Sequence, residues 1–233
     1  MMGTTPEKLG GLSGVVSASE VGEHLKVGRA RLTAILGTTV PELQALVVPE
    51  KEWSHAPREA ESPYPFGLPY FTRSTTPPAL VLPEKLSGVL QPRTRLTLPL
   101  AVWHELAHAF FLQGEVVRIP LWLGEFTAQA AAAAVAFREG LSLEGHLSTV
   151  ERPGFTVRGF ELPASASAQM SFQNLLLSFG AAAIERFGDE FVGRLVGSLW
   201  EESEVVDEAR AEGLLVWSLG KGGREWLAGR EEF

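Results

Sequence analysis

The chain has 233 residues, 45% of them hydrophobic and 21% charged, with a formal net charge of −8. Its 24 Gly and 15 Pro follow no fixed period, which excludes collagen-like and low-complexity chains and leaves an ordinary globular protein. Twenty Lys and Arg face 28 Asp and Glu without a basic cluster, so no nucleic acid partner is expected, and the absence of cysteine excludes disulfides and thiolate metal sites.

The acidic side chains are almost all Glu, since Asp189 and Asp207 are the only Asp. Residues 1–10 lack the apolar core of a signal peptide. No apolar run is long enough to cross a bilayer. The expectation is therefore a cytoplasmic protein with no membrane partner.

In chain order, Val21, Leu25, Leu32, Ile35 and Leu36 recur at helical spacing, which predicts a helix over 18–36 stopped by Gly37. Residues 43–48 form an apolar run closed by Pro49 and read as a strand. Residues 54–69 carry four prolines and Gly67 and read as a loop. Residues 79–82 predict a second short strand, and the flanking Pro78 and Pro83 assign it to a sheet edge. From Thr97 onward the pattern is helical. Helices are predicted over 98–113, capped by Thr97, over 120–139 opened by Pro120, over 164–187 and over 189–199. Residues 145–163 look irregular, with a strand at 155–160. Two short helices between 205 and 227 are split by Gly220, Gly222 and Gly223. The reading is an α+β fold in one domain over 1–233. A small N-terminal sheet with an edge strand, within 1–96, leads into a mainly helical part over 97–233.

The chemistry concentrates in His104-Glu105-Leu106-Ala107-His108. Residues four apart share a helix face, so both imidazoles can address one ion. Glu105 sits beside the first ligand, where it can act as general base on an activated water. Val102, Trp103, Leu106, Phe110 and Phe111 make the surroundings apolar, and three buried polar groups there need compensation. A metal supplies it; a pair of core histidines with a paired Glu is the plain alternative. With no thiols in the chain, zinc held by His and Glu is the expected cofactor.

Glu115 lies ~10 Å along the axis from His108, too far to share an ion. Glu125 enters in the first turns of the next helix. If the two helices are antiparallel neighbours, it returns level with His108 and completes a His-His-Glu set with an open fourth position. Alone, Glu125 reads more readily as a solvated first-turn Glu favoured by the helix dipole; beside the His pair it reads as a ligand.

The run 103–108, together with Pro120, Trp122, Leu123, Glu125 and Ala128, resembles the gluzincin metallopeptidases, in particular small proteins of the peptidase MA superfamily. Their second motif is typically Pro-x-Trp-Leu-x-Glu-Gly-x-Ala. Phe126 stands where that pattern has a small residue, a bulk set to crowd the site. The resemblance implies a zincin-like fold, zinc ligands His104, His108 and Glu125, and Glu105 as the catalytic base. It places 79–82 as the edge strand that takes a peptide or protein substrate. It also puts Gln129 where thermolysin-like members carry an Asp that orients the first His; its amide oxygen can accept from His104 there, and a tolerated polar residue in an Ala-rich helix is the equal alternative. Gluzincins commonly add a downstream Tyr or His as oxyanion donor. Here Phe172 lies about where that hydroxyl belongs, and only Tyr64, Tyr70, His55 and His146 are candidates, His146 reading as a surface loop residue.

The function expected is a zinc-dependent metallopeptidase that hydrolyses peptide bonds by metal-activated water, with weak or narrow activity. The alternatives are a metallopeptidase-like binding module that keeps zinc without efficient turnover, and a domain whose metal is structural.

Overall fold

The computed structural model describes residues 15–39, 42–59, 67–86, 94–111, 118–147, 156–159 and 166–233. Its first element is helix α1, Ala18–Leu36, which buries the stripe Val21, Leu25, Gly28, Leu32, Ile35 and Leu36. Ser17 starts it by accepting the Glu20 N–H at 3.2 Å. Gly37, at φ 69, ends it by donating to the Thr33 carbonyl.

Three strands follow: β1 (Gln44–Val48), β2 (Tyr70–Thr72) and β3 (Ala79–Pro83). A 3-10 turn, Glu50–His55, occupies the start of the expected loop, and residues 60–66 lie outside the described residues. The sheet order is β1-β3-β2, with β1 parallel and β2 antiparallel to β3. The strand at 79–82 is therefore central, which corrects its expected edge position. The prolines bracket the strand instead of interrupting it. The Pro78 carbonyl accepts from Gln44 N at 3.0 Å, and beyond Pro83 the Glu84 N–H donates to Val48 at 3.0 Å. Neither ring removes an interior ladder bond, and the unbroken apolar run is buried on both faces. Leu80 and Leu82 join the main core with Ala45, Val47 and Phe71. Ala79, Val81 and Tyr70 face a second small cluster with Trp53 and Ala56.

The rest is helical: α2 (Thr97–Phe111), α3 (Leu121–Arg138), α4 (Glu144–Leu147), α5 (Ala166–Phe187), α6 (Glu190–Glu201), α7 (Glu208–Leu219) and α8 (Gly223–Ala228). The protein is thus mixed α+β with a small three-stranded sheet and mostly helices. Helix α4 replaces irregular chain at 144–147, and the described residues 156–159 hold no strand. Elsewhere in the expected strand, residues 155 and 160 lie outside the described residues.

Helix α2 is buried on nearly every side because α1, α3, β2 and β3 all pack on it. Two glycines allow close approaches to α2 and α3. A Cβ on Gly28 of α1 would lie 2.6 Å from Trp103 Cδ1, and one on Gly180 of α5 would lie 2.9 Å from Ala130 Cα. Residues 130–134 of α3 are fully buried alanines, so α5 settles against a surface of small side chains. Phe126 points into this core, its ring 5.6 Å from that of Phe179 and 6.3 Å from that of Phe191. It does not crowd the His pair, contrary to the expectation from the motif. Burying a side chain of that size contributes ~1.5–3 kcal/mol.

Candidate metal centre

One turn of α2 separates His104 from His108, and their rings meet edge to face with centroids 4.7 Å apart. Their Nε2 atoms are 3.1 Å apart. Glu125, from the second turn of α3, faces both. Its Oε2 lies 3.4 Å from His104 Nε2 and its Oε1 lies 3.6 Å from His108 Nε2. Helices α2 and α3 thus bring the carboxylate level with the imidazoles. The start of α3 is fixed by Trp122, whose Nε1 donates to Glu208 Oε2 at 2.7 Å, and by the Arg118 carbonyl, which accepts from Val206 N at 2.9 Å.

The two imidazole Nε2 atoms are 3.1 Å apart, and 3.4 and 3.6 Å separate them from different oxygens of the one Glu125 carboxylate, distances of the size of the edge of a small tetrahedron. With corners ~2.0–2.1 Å from the centre, that edge is ~3.3 Å, the spacing a tetrahedral ion imposes on nitrogen and oxygen ligands. Glu105 stands further back, its Oε1 3.8 Å from His104 Nε2. The ligand atoms of His104, Glu105 and His108 all fall within 4.8 Å of one another, so Glu105 is near enough to act on the same centre. The backbone of Phe71 in β2 hydrogen-bonds the Glu105 carboxyl. Sequence reasoning missed that contact, because nothing in a three-residue strand signals which helix it touches.

The electrostatics follow from burial and mutual charge. Burial opposes ionisation of Glu125, but His108, His104 and a bond from Gln173 outweigh it and hold the carboxyl at about 2. Burial pushes Glu105 up to about 8, against the pull of His104. Burial takes His108 down to about 4. Burial also opposes charge on His104, yet Glu125 and Glu105 raise it on balance. Two Nε2 atoms 3.1 Å apart hold at most one proton between them, and His104 Nδ1 is buried with no partner among the described residues. A cation facing both Nε2 lone pairs fits this donor set, with protons on the outer nitrogens.

Gln129 does not accept from His104. Its Nε2 donates to Gln173 Oε1 at 2.6 Å, and Gln173 Nε2 donates to Glu125 Oε2 at 2.6 Å. Helix α5 brings Gln173 alongside α3 and takes the Gln129 amide before it can reach the imidazole. Sequence reasoning stopped at the neighbouring Phe172, which is buried.

The other candidate donors are engaged elsewhere. The Tyr70 hydroxyl donates to the Pro57 carbonyl at 3.0 Å, on the sheet face turned away from the helices. His55 is exposed, with Nδ1 3.2 Å from Ser54 Oγ. His146 is buried in α4 with Nδ1 2.8 Å from Thr94 Oγ1, so it is no surface loop residue. Tyr64 and Glu115 lie outside the described residues. No helix among the described residues is long and apolar enough to cross a membrane. Comparison with family models, curated proteins and solved structures found no match.

Proposed function

We propose that this protein is a zinc-dependent peptidase with a zincin-like fold. The observation that carries the reading is the triangle of His104 Nε2, His108 Nε2 and the Glu125 carboxylate at 3.1, 3.4 and 3.6 Å, with Glu105 beside it. When bound there, zinc supplies Lewis-acid activation of a water and of a peptide carbonyl. His104, His108 and Glu125 hold the ion and leave a fourth position open. Glu105 takes the water proton at its carboxylate and returns it to the departing amine nitrogen.

Strand β2 supports a peptide as substrate. It is a sheet edge that packs on α2. Since the Phe71 backbone bonds Glu105, Phe71 falls between the hydrogen-bonded pairs of the β2–β3 ladder, and its carbonyl also faces outward. An extended chain can add along that edge within reach of the base. β2 therefore takes the docking role first expected of residues 79–82.

Glu105→Gln tests the reading. The variant should bind one zinc like the wild type and hydrolyse no member of a peptide library that the wild type cleaves. Loss of zinc from Glu105→Gln, with retention by Glu125→Ala, would reverse ligand and base. A second reading, a zinc-holding binding module, is favoured by one observation: the Tyr70 hydroxyl, His55 Nδ1 and His146 Nδ1 are each engaged away from the cluster. Zinc-loaded wild type that binds library peptides without cutting any would establish it.

A further inference from the structure

We infer that Gln173, held in place by Gln129, is the positioning residue that aims the Glu125 carboxylate at the ion. The inference rests on the metal reading above and concerns residues outside both metal motifs. Ionised Glu125 offers only acceptors, so Gln173 must turn its Nε2 toward Oε2, which it does at 2.6 Å. Gln173 Oε1 then points the other way and needs a donor. Gln129 Nε2 supplies one at 2.6 Å. A flipped Gln173 would set oxygen against oxygen at Glu125 and nitrogen against nitrogen at Gln129. The chain of amides therefore has one polarity, and the carboxylate dictates it.

The placement gives the chain its effect. Gln129 is buried, four residues beyond Glu125 on the same face of α3. Gln173 comes from α5, the helix packed most closely on α3. The relay ties the third ligand to a helix that carries no ligand itself. It orients the carboxylate without adding negative charge, unlike an Asp in the same role. Gln129 makes no hydrogen bond to a ligand among the described residues; its bond is to Gln173, through which it acts.

Zinc affinity, measured by competition with a chromogenic chelator, and the visible spectrum of the cobalt(II)-loaded protein test this. Gln173→Met keeps volume and removes the amide. It should weaken zinc binding by ~10–100-fold and alter the cobalt spectrum, in protein shown by circular dichroism to be folded. Gln129→Met should act in the same direction by less. The double variant should be no weaker than Gln173→Met alone, because the two residues form one path. Wild-type affinity and an unchanged cobalt spectrum in Gln173→Met would overturn the inference, as would single effects that multiply in the double variant. If Gln173→Met does not fold, Gln129→Met decides, since wild-type affinity there breaks the path. Should the wild type bind zinc no better than His108→Ala, the metal reading itself has failed. A wild type that binds and a Gln173→Met variant that binds equally well sink the relay alone.

Discussion

Gly180→Ala and Gly124→Ala make the same chemical change in two helices and should move stability in opposite directions. In a helix interior, Ala gains up to ~1 kcal/mol over Gly from intrinsic propensity. At Gly124 a Cβ would meet nothing nearer than Ile119 Cδ1 at 3.5 Å, an ordinary contact. The propensity gain should survive, at ~0.5–1 kcal/mol, or a Tm rise of ~1–4 °C for a chain of this length. At Gly180 the Cβ would lie 2.9 Å from Ala130 Cα and 3.2 Å from Ala130 N. Those atoms are backbone, so no rotamer change relieves them. Carbon contacts sit best at ~3.5–4.0 Å, so α5 must back off by ~0.6–1 Å, enough to forfeit a quarter to a half of each contact along the seam. Overpacking of this kind costs ~1–3 kcal/mol. Against a backbone we expect the upper end, a net loss of ~2 kcal/mol after the propensity gain, or ~4–8 °C in Tm. Thermal and urea unfolding monitored by circular dichroism measure both variants. Gly180 also lies two helical turns from Gln173, on the same face of α5, so its Ala variant should weaken zinc binding as well. Gly124→Ala, although adjacent to Glu125 in sequence, should not. Gly180→Ala as stable as the wild type would refute the close α3–α5 approach and the reasoning built on it.

Zinc at ~100 times its Kd should raise the wild-type Tm by ~5–10 °C, and His108→Ala should show no gain in the same differential scanning measurement. For His146, burial pushes the folded-state pKa to about 4, from 6.5 in the open chain. Between pH 6.5 and about 4 the unfolded chain takes up a proton that the folded protein refuses. Stability should therefore fall as pH drops through that window, by at most ~1.4 kcal/mol per pH unit, and His146→Asn should flatten the slope in urea unfolding compared across pH.

What could be read from sequence was local. The bounds of α1, its stop at Gly37, the His pair and the return of Glu125 depend on spacing within a helix or on the lengths of consecutive helices. What could not be read was the choice of distant partners. The run 79–82 looked like an edge because prolines flank it, yet its place is set by pairing Ala79 with Gln44 and with Thr72. Gln129 could have turned to His104, and a residue 44 positions away took it first. Tyr70 was a plausible donor until the alternation of β2 put its ring on the Trp53 face, 5.7 Å from that indole. His146 sits among Gly, Ser and Thr in sequence, but Thr94, 52 positions away, meets it in the interior. Composition cannot announce such neighbours, because each pairing depends on helices and strands that pack elsewhere.

Charge balance within the cluster yields a last prediction. Glu105 and Glu125 are two carboxyls whose nearest charges are the imidazoles and each other. Without a metal, neutrality is reached by protons. Glu125 stays ionised, His104 gains proton affinity from both carboxylates, and Glu105 is pushed up to about 8. At pH 7 a carboxyl with that pKa holds ~0.9 proton. A divalent cation reverses the balance: it needs a free lone pair on His104 and favours the ionised form of Glu105. Zinc binding at pH 7 should therefore release about one proton from Glu105 and a further share from His104. Calorimetric titration in two buffers of different ionisation enthalpy counts them. Glu105→Gln leaves the ligands in place and removes the carboxyl's share, so its release should be lower by about one proton at pH 7. The difference should fade above pH 8, where Glu105 has already lost its proton in the metal-free protein. Equal release from wild type and Glu105→Gln would mean that Glu105 is ionised before the metal arrives, and that burial does not hold its proton.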